Sequence, residues 1–485
     1  MLNFKPESVW KWFDELLSIP RCSKNEERIR FYLQEIAERM SIRYATDTIG
    51  NIVYYISASP GMESKKKLIL QAHMDMVCNK LEGVAHDFSQ DPIKVKVEGD
   101  YLITQGTTLG ADNGIGMAIM LALLEDASLS HGPLEFLFTV DEESGLTGAF
   151  KLDASLLKGK LLINLDNEDL GSICIGSAGG VDIICRVPLN DRVPIEDMIV
   201  YKIALKGLKG GHSGVDIHLP RLNAITSSID ILEDTKKRAP ELLLISIDGG
   251  TQKNAIPREV SMKIALYPQS QIHIRESIIK NTEKARSSEP DFSLSLEKID
   301  YTGHIEGIDP VPLIETIKSI PNGVIKMSEE VNNFVETSNN IGLIRVTDDA
   351  IIITSHARSC KTEELPTIYQ QITSRVKDRD VQVDIGGHYP GWEPDPTSSL
   401  LHLCKTIWER MKGESPSIKA LHAGLECGIL KNKIKGLDAV SIGPQIDHPH
   451  SPDERVNIGS VYEIYEYLRQ IVQSLPDEEA KHVGT

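Results

Sequence analysis

The sequence predicts an α/β domain, a mixed central sheet flanked by helices, interrupted by an inserted α+β domain. Three observations predict it. Short apolar runs alternate with helical periodicity through the first half of the chain, as in layered α/β proteins. Near residue 187 the pattern changes at Pro188, Asp191, Pro194 and the acidic turn Glu196-Asp197, and some two hundred residues of strands and amphipathic stretches follow. At the turn-rich Gly386-Gly387-His388-Tyr389-Pro390-Gly391 it changes back. The expected division is 1–186 and 391–485 for the first domain, with 187–390 as the insertion.

The elements follow in order. Ser23-Lys24-Asn25-Glu26 reads as a capping box that opens a helix, with Ile29, Leu33, Ile36 and Met40 on one face. Apolar runs at 51–56, 68–72, 134–140 and 161–165 read as strands. Residues 113–127 are apolar almost throughout and read as a buried helix. Towards the end, 398–412 reads as a helix and 439–442 as a strand. A closing helix gathers Ile458, Val461, Ile464, Tyr465, Leu468, Ile471 and Val472 on one face. The polar tail from Pro476 to Thr485 is expected to fray.

Composition bounds the function. With 485 residues, 41% hydrophobic and 25% charged, the chain is an ordinary globular protein that needs neither disulfides nor a structural metal to fold. Its 52 basic and 70 acidic residues leave a net charge of −18, which argues against a general nucleic-acid or anionic-membrane binder. Seven cysteines without a CxxC pair suggest free, mostly buried thiols in a reducing compartment. The start of the chain lacks the basic-then-apolar plan of a signal peptide, and no apolar run approaches the ~18 residues of a membrane span. A cytoplasmic protein is expected.

The chemistry lies where the strands end. The run 68–72 leads into His73-Met74-Asp75, 134–140 into Asp141-Glu142-Glu143, and 161–165 into Asp166. The strand at 439–442 is followed by His448-Pro449-His450-Ser451-Pro452-Asp453, and Leu109-Gly110-Ala111-Asp112-Asn113-Gly114 precedes the buried helix. Open α/β sheets bind ligands past the carboxyl ends of their strands. Two histidines and three carboxylates there form a mixed nitrogen and oxygen set suited to zinc, with cobalt or manganese as substitutes. Five ligands exceed what one tetrahedral ion needs, so two metals sharing a carboxylate is the economical reading.

Four motifs carry a resemblance. His73-Met74-Asp75-Met76-Val77, the stretch Thr107-Thr108-Leu109-Gly110-Ala111-Asp112-Asn113-Gly114-Ile115-Gly116, Asp141-Glu142-Glu143-Ser144-Gly145 and His450-Ser451-Pro452-Asp453-Glu454 stand in the order of the co-catalytic zinc aminopeptidase, aminoacylase and dipeptidase superfamily. More narrowly, the chain resembles the bacterial aminoacyl-histidine (Xaa-His) dipeptidases. Gly207-Leu208-Lys209-Gly210-Gly211-His212-Ser213-Gly214, Asn254-Ala255-Ile256-Pro257-Arg258-Glu259 and His422-Ala423-Gly424-Leu425-Glu426-Cys427-Gly428 support that match. It spans about residues 8 to 475.

The resemblance implies a zinc-peptidase-like catalytic domain with an inserted lid, and two zinc ions per subunit. His73 and Asp166 would bind one ion, Glu143 and His450 the other, and Asp112 would bridge them through a loop whose bond to Asn113 is cis. Asp75 would orient His73. Glu142 would be the general base for a metal-bridging hydroxide, and His212 would stabilise the oxyanion. The three acids at 141–143 are placed by aligning the Ser144-Gly145 end, and His450 is chosen over His448 because it heads its motif. Arg358 is the candidate grip for a dipeptide's terminal carboxylate, an ordinary surface salt bridge being the alternative. For His212 the alternative is a local cap within a glycine turn. Asn254 and Gly424 complete the expected substrate contacts, and Cys427 is expected to pack rather than attack.

The implied activity is hydrolysis of unblocked dipeptides with an aminoacyl-histidine preference, β-alanyl-histidine included. A deacylase of N-acyl amino acids would share the same ligands, and a non-catalytic ligand-binding relic is the reading outside enzymes. The expected partner is a small peptide, with a homodimer through the lid and neither nucleic acid nor membrane.

Overall fold

The computed structural model describes residues 2–300 and 305–478. The chain divides into two compact units, one of Met1–Gly176, Pro394–Ala420 and Leu425–Thr485, the other of Ser177–Glu393 and Leu421–Gly424. In the first, eight strands form one sheet in the order Arg43–Thr46, Ile52–Ile56, Leu134–Thr139, Leu68–His73, Leu161–Asn164, Asp438–Ser441, Ser172–Ser177, Ser417–Leu421. The middle four run parallel. Such strands are covered on both faces, so they read as unbroken apolar runs rather than alternations. Pairing of Ala72 with Phe138, Gln71 with Asn164 and Ser441 with Asn164 brings their carboxyl ends level. Helix Ala111–Glu125, buried from Ala111 to Leu123, shares the core of this unit with Trp10, Trp12 and Phe13 of Glu7–Leu17 and with Val461, Ile464 and Leu468 of Ile458–Gln473.

The second unit is α+β. Its larger sheet runs Ser293–Ile299, Ile199–Lys206, Val260–Leu266, Leu243–Gly249, Val335–Val346, Ala350–Ser359, Gly179–Pro188, Gln382–Tyr389, with Gly323–Met327 also paired to Val335–Val346. All these pairs are antiparallel. Helices Ala224–Lys236, Gln271–Arg286, Val311–Ser319 and Glu364–Val376 bury Ile229, Ile274, Leu313 and Ile368 among others into its core.

Several expectations need correcting. The insertion begins at Ser177 rather than 187, because Gly179–Pro188 lies wholly inside the second sheet, between Ala350–Ser359 and Gln382–Tyr389. Residues 421–424 also belong to the second unit: Ala178 N donates to Leu421 O (2.9 Å), and His422 Nε2 lies 2.7 Å from Ser338 Oγ. Ser23 does not cap a helix. The helix is Glu27–Arg39, the Ser23 hydroxyl goes to Asp75 Oδ2 (2.8 Å), and Glu26 Oε1 accepts from Lys24 N and Asp141 N instead.

The cysteines are not all free. Met76 N donates to Arg21 O (3.0 Å), which lays two distant segments side by side and joins Cys22 to Cys78 as a disulfide. Cys174, Cys185, Cys360, Cys404 and Cys427 are free and buried. Of the tail expected to fray, 476–478 is tied down: Lys66 N donates to Pro476 O and Glu478 N to Ser64 O. The remainder, 479–485, lies outside the described residues.

Candidate metal centre

The level strand ends deliver three groups to one edge of the parallel sheet. His73 closes its strand, Glu142 and Glu143 follow Leu134–Thr139, and Asp166 follows Leu161–Asn164. Asp112 enters from the first turn of helix Ala111–Glu125, where it and Asn113 depart from helical geometry and the bond between them is cis. His450 comes from a turn with φ of 60°. Asp112 stands between the histidines, with His73 Nε2 2.9 Å from Oδ1 and His450 Nε2 3.0 Å from Oδ2. Asp166 Oδ1 lies 3.2 Å from His73 Nε2, and Glu143 Oε2 lies 2.9 Å from His450 Nε2.

Ligand atoms of His73, Asp112 and Asp166 thus lie within 4.8 Å of one another, as do those of Asp112, Glu143 and His450. Asp112 belongs to both groups. Imidazole nitrogen and carboxylate oxygen are the donors that zinc, cobalt and manganese share. Glu143 Oε1 is buried without a hydrogen-bond partner, which a cation would satisfy. The residues fit two metal ions. A further acidic group, Glu26, Asp75 and Asp141, is occupied with hydrogen bonds from Ser23, Ser144 and the backbone N–H groups of Lys24, Asp141, Glu142 and Glu143.

Asp75 sits behind His73. Its Oδ1 is 3.4 Å and its carbonyl oxygen 3.2 Å from His73 Nδ1, so Nδ1 carries a proton and Nε2 is the nitrogen turned to the other ligands. The same carboxylate accepts from Glu142 N (3.0 Å) and Glu143 N (3.2 Å), fixing the acidic turn against the histidine strand.

The charges interact strongly. Burial alone would lower the pKa of His73, but Asp166 and Asp112 outweigh it and raise it well above the usual value. Burial alone would raise Asp112, yet the charge of His73 and the hydrogen bond from His450 hold it below the ordinary carboxylate range. Glu143 is pushed up to about 7 by burial and the Asp112 charge. Glu142 lies well above the ordinary value because burial, Asp166, Glu143 and Glu426 all oppose its ionisation, against the charge of His73.

The sequence signature of Peptidase family M20/M25/M40 matches residues 69–474. The chain belongs to this family. It is therefore a hydrolase of a metallopeptidase family. The cytosol non-specific dipeptidase of Escherichia coli (strain K12) is 37% identical over 481 residues, covering 98% of this chain and 99% of the relative. The structure of aminoacylhistidine dipeptidase from Vibrio alginolyticus superposes with a TM-score of 0.87 at 38% identity over 98% of both chains. Aminopeptidase PepT from Bacillus cereus ATCC 10987 shares the fold, with a TM-score of 0.56 at 17% identity over 97% of this chain and 98% of that one.

In this M20/M25/M40 peptidase the remaining predicted residues lie in the second unit. His212 ends the short strand Gly211–His212, and its Nδ1 accepts from Gly214 N (3.3 Å) and Val215 N (3.1 Å). A neutral imidazole accepting at Nδ1 carries its proton on Nε2. Gly214 has no alternative, since a Cβ there would meet His422 O at 2.0 Å. Arg358 is no surface salt bridge. It is 3% exposed, its Nη1 donates to Tyr389 OH (2.8 Å), its Nε is unpartnered, and it forms no ion pair among the described residues. Asn254 is half-buried, with its carbonyl accepting from Ser213 N (2.8 Å), and Gly424 is half-buried in the turn before helix Glu426–Lys433.

Glu426 was expected beside the substrate, with Gly424, and two further supporting residues, Arg21 and Glu454, were given no role by the sequence reading. Glu426 Oε2 accepts from Gln71 Nε2 (2.5 Å) and Thr139 Oγ1 (2.7 Å), beneath the strands that carry His73 and Glu142. Arg21 and Glu454 bind backbone around the Asp112 loop. A hydrophobic stretch interrupted by Gln71 and Asn164 was the available signal for the first, because polar residues inside buried strands need partners. Arg21 has no local signature, and Glu454 closes the His450–Glu454 motif without its partners being readable there.

Proposed function

We propose that the protein is a di-zinc dipeptidase that hydrolyses unblocked dipeptides, with aminoacyl-histidine among its substrates. The observation that carries this is Asp112 shared between two ligand groups with the Glu142 carboxyl beside them. The dipeptidase activities named for the Escherichia coli and Vibrio alginolyticus relatives support the substrate class. Two divalent ions at the centre would polarise the scissile carbonyl and acidify a water.

The chain's own residues do the rest. Glu142 takes a proton from the attacking water as its oxygen bonds to the carbonyl carbon, then gives it to the amine nitrogen as the C–N bond breaks. His212 Nε2–H donates to the oxyanion, and the Arg358 guanidinium binds the substrate's carboxylate in two-pronged fashion. Asn254 and Gly424 line the same substrate, and Asp75 keeps His73 in its ligating tautomer. Exposed Val324, Ile325 and Met327 on strand Gly323–Met327 support a homodimer through the inserted domain, which sedimentation velocity tests. The cytoplasm is the proposed location, from the description of the Escherichia coli relative.

The test is a panel of Ala-His, β-Ala-His, Gly-Gly, tripeptides and N-acetyl amino acids, before and after chelation with zinc returned. Cleavage of unblocked dipeptides alone, restored by zinc, is expected. Cleavage of the acetylated compounds alone would make the protein a deacylase. Glu142→Gln is expected to keep both metals and lose at least ~10²-fold in kcat; unchanged turnover would remove Glu142 as the base.

A further inference from the structure

The two halves of the centre are held by different means. His73 ends strand Leu68–His73 and Asp166 follows strand Leu161–Asn164, each strand paired on both sides within the sheet. Asp112 and His450 stand on turns, and the His450 side chain is 52% exposed. What fixes the Asp112 turn is a buried carboxylate outside every ligand group. Glu454, 2% exposed, accepts at Oε2 from Leu109 N (2.7 Å) and Gly110 N (2.9 Å), and at Oε1 from Ala111 N (2.8 Å) and Asp112 N (3.3 Å).

Four successive N–H groups on one anion fix the peptide planes leading to the bridging carboxylate. They also open helix Ala111–Glu125, whose dipole favours negative charge at that end. Glu454 follows His450 by four residues, and its own N–H donates to Ser451 O (3.0 Å), closing the turn that follows His450. From the other side Arg21 holds Met74 O (3.1 Å), Asp75 O (2.9 Å) and Gly110 O. Gly110 is gripped at its N–H by Glu454 and at its carbonyl by Arg21.

We propose that Glu454 is a positioning residue for the second metal site: it ties the Asp112 loop to the His450 segment, so that its loss weakens binding at Asp112, Glu143 and His450 more than at His73, Asp112 and Asp166, where two of the three ligands stand on paired strands. This rests on the two-metal reading above. The experiment titrates the full-length, metal-stripped protein with Zn²⁺ by calorimetry and with Co²⁺ by visible absorption. Wild type is expected to take up two equivalents. Glu454→Gln, which turns one acceptor into a donor facing N–H groups, is expected to leave the tighter step near its wild-type affinity. It should weaken the other by about 10-fold or more, the usual scale for a lost supporting contact. Glu454→Asp keeps the charge on a shorter arm and should weaken the same step less.

Two unchanged steps, or equal weakening of both, would overturn the proposal, the second outcome marking a general loosening of the fold. Should Glu454→Gln be insoluble, Glu454→Asp decides by the same criterion. Uptake of a single equivalent by wild type removes the two-metal reading and the proposal together. Two equivalents in both proteins at equal affinity remove the proposal alone.

Discussion

His73 and His450 each face two carboxylates through Nε2, and that arrangement sets how the centre answers to pH. Burial lowers the pKa of both rings, but Asp166 and Asp112 at His73, and Asp112 and Glu143 at His450, raise them above the ordinary value. A cation competes with the proton for the same Nε2 atoms, so metal uptake must expel protons. Because the folded pKa values are raised, the protonated rings persist to higher pH and affinity falls as pH falls. Calorimetric titration in buffers of different ionisation enthalpy at pH 7 should show about two protons released on filling both sites. Affinity should rise between pH 6 and 8. A buffer-independent enthalpy would mean that the imidazoles are already neutral and that the carboxylate charges matter less than their distances suggest.

At the scale of elements, the loop before helix Ala111–Glu125 is the part least tolerant of change. Gly110 has φ of 69°, and a Cβ there would stand 2.6 Å from Arg21 Nη2 and 2.7 Å from Met76 Sδ. Gly110→Ala therefore adds left-handed strain and displaces the guanidinium. It should cost about 1–3 kcal/mol in urea unfolding and weaken metal binding, since Arg21 also holds the carbonyls of Met74 and Asp75. Unfolding and metal affinity equal to wild type would refute that account. The same loop shows what sequence reasoning can reach. The parallel strands were legible because both of their faces are buried, and His73, Glu143 and Asp166 were legible as candidates because they stand at or just past the ends of those strands. Arg21 and Glu454 were not, since their bonds to the loop span 89 and 342 to 345 residues. Ser23 matched a local capping pattern, yet its hydroxyl bonds Asp75, 52 positions away. The disulfide between Cys22 and Cys78 was hidden in the same way, by two segments that meet only in the fold.

At the scale of the whole molecule, the inserted unit carries its own sensitivity to acid. His422 is 5% exposed, hydrogen-bonded to Ser338 Oγ, and kept neutral by burial and then by the charge of Arg358, its pKa held down to about 3. His356 is lowered in the same direction by burial, against the pull of Asp182 at 2.7 Å. A histidine whose folded pKa lies below its unfolded value of 6.5 binds fewer protons when folded. Its contribution is therefore complete above pH 6.5 and is lost progressively as pH falls towards 3, by an amount on the order of a few kcal/mol for His422. Calorimetric unfolding of the metal-stripped protein should show a Tm that declines steadily from pH 7 to 4.5. His422→Gln cannot take up that proton, so it should start lower at pH 7, where the imidazole packs against Phe334, and decline less steeply. Parallel Tm curves for the two proteins would show that the acid response originates elsewhere, with the carboxylates around Asp112 the next place to look.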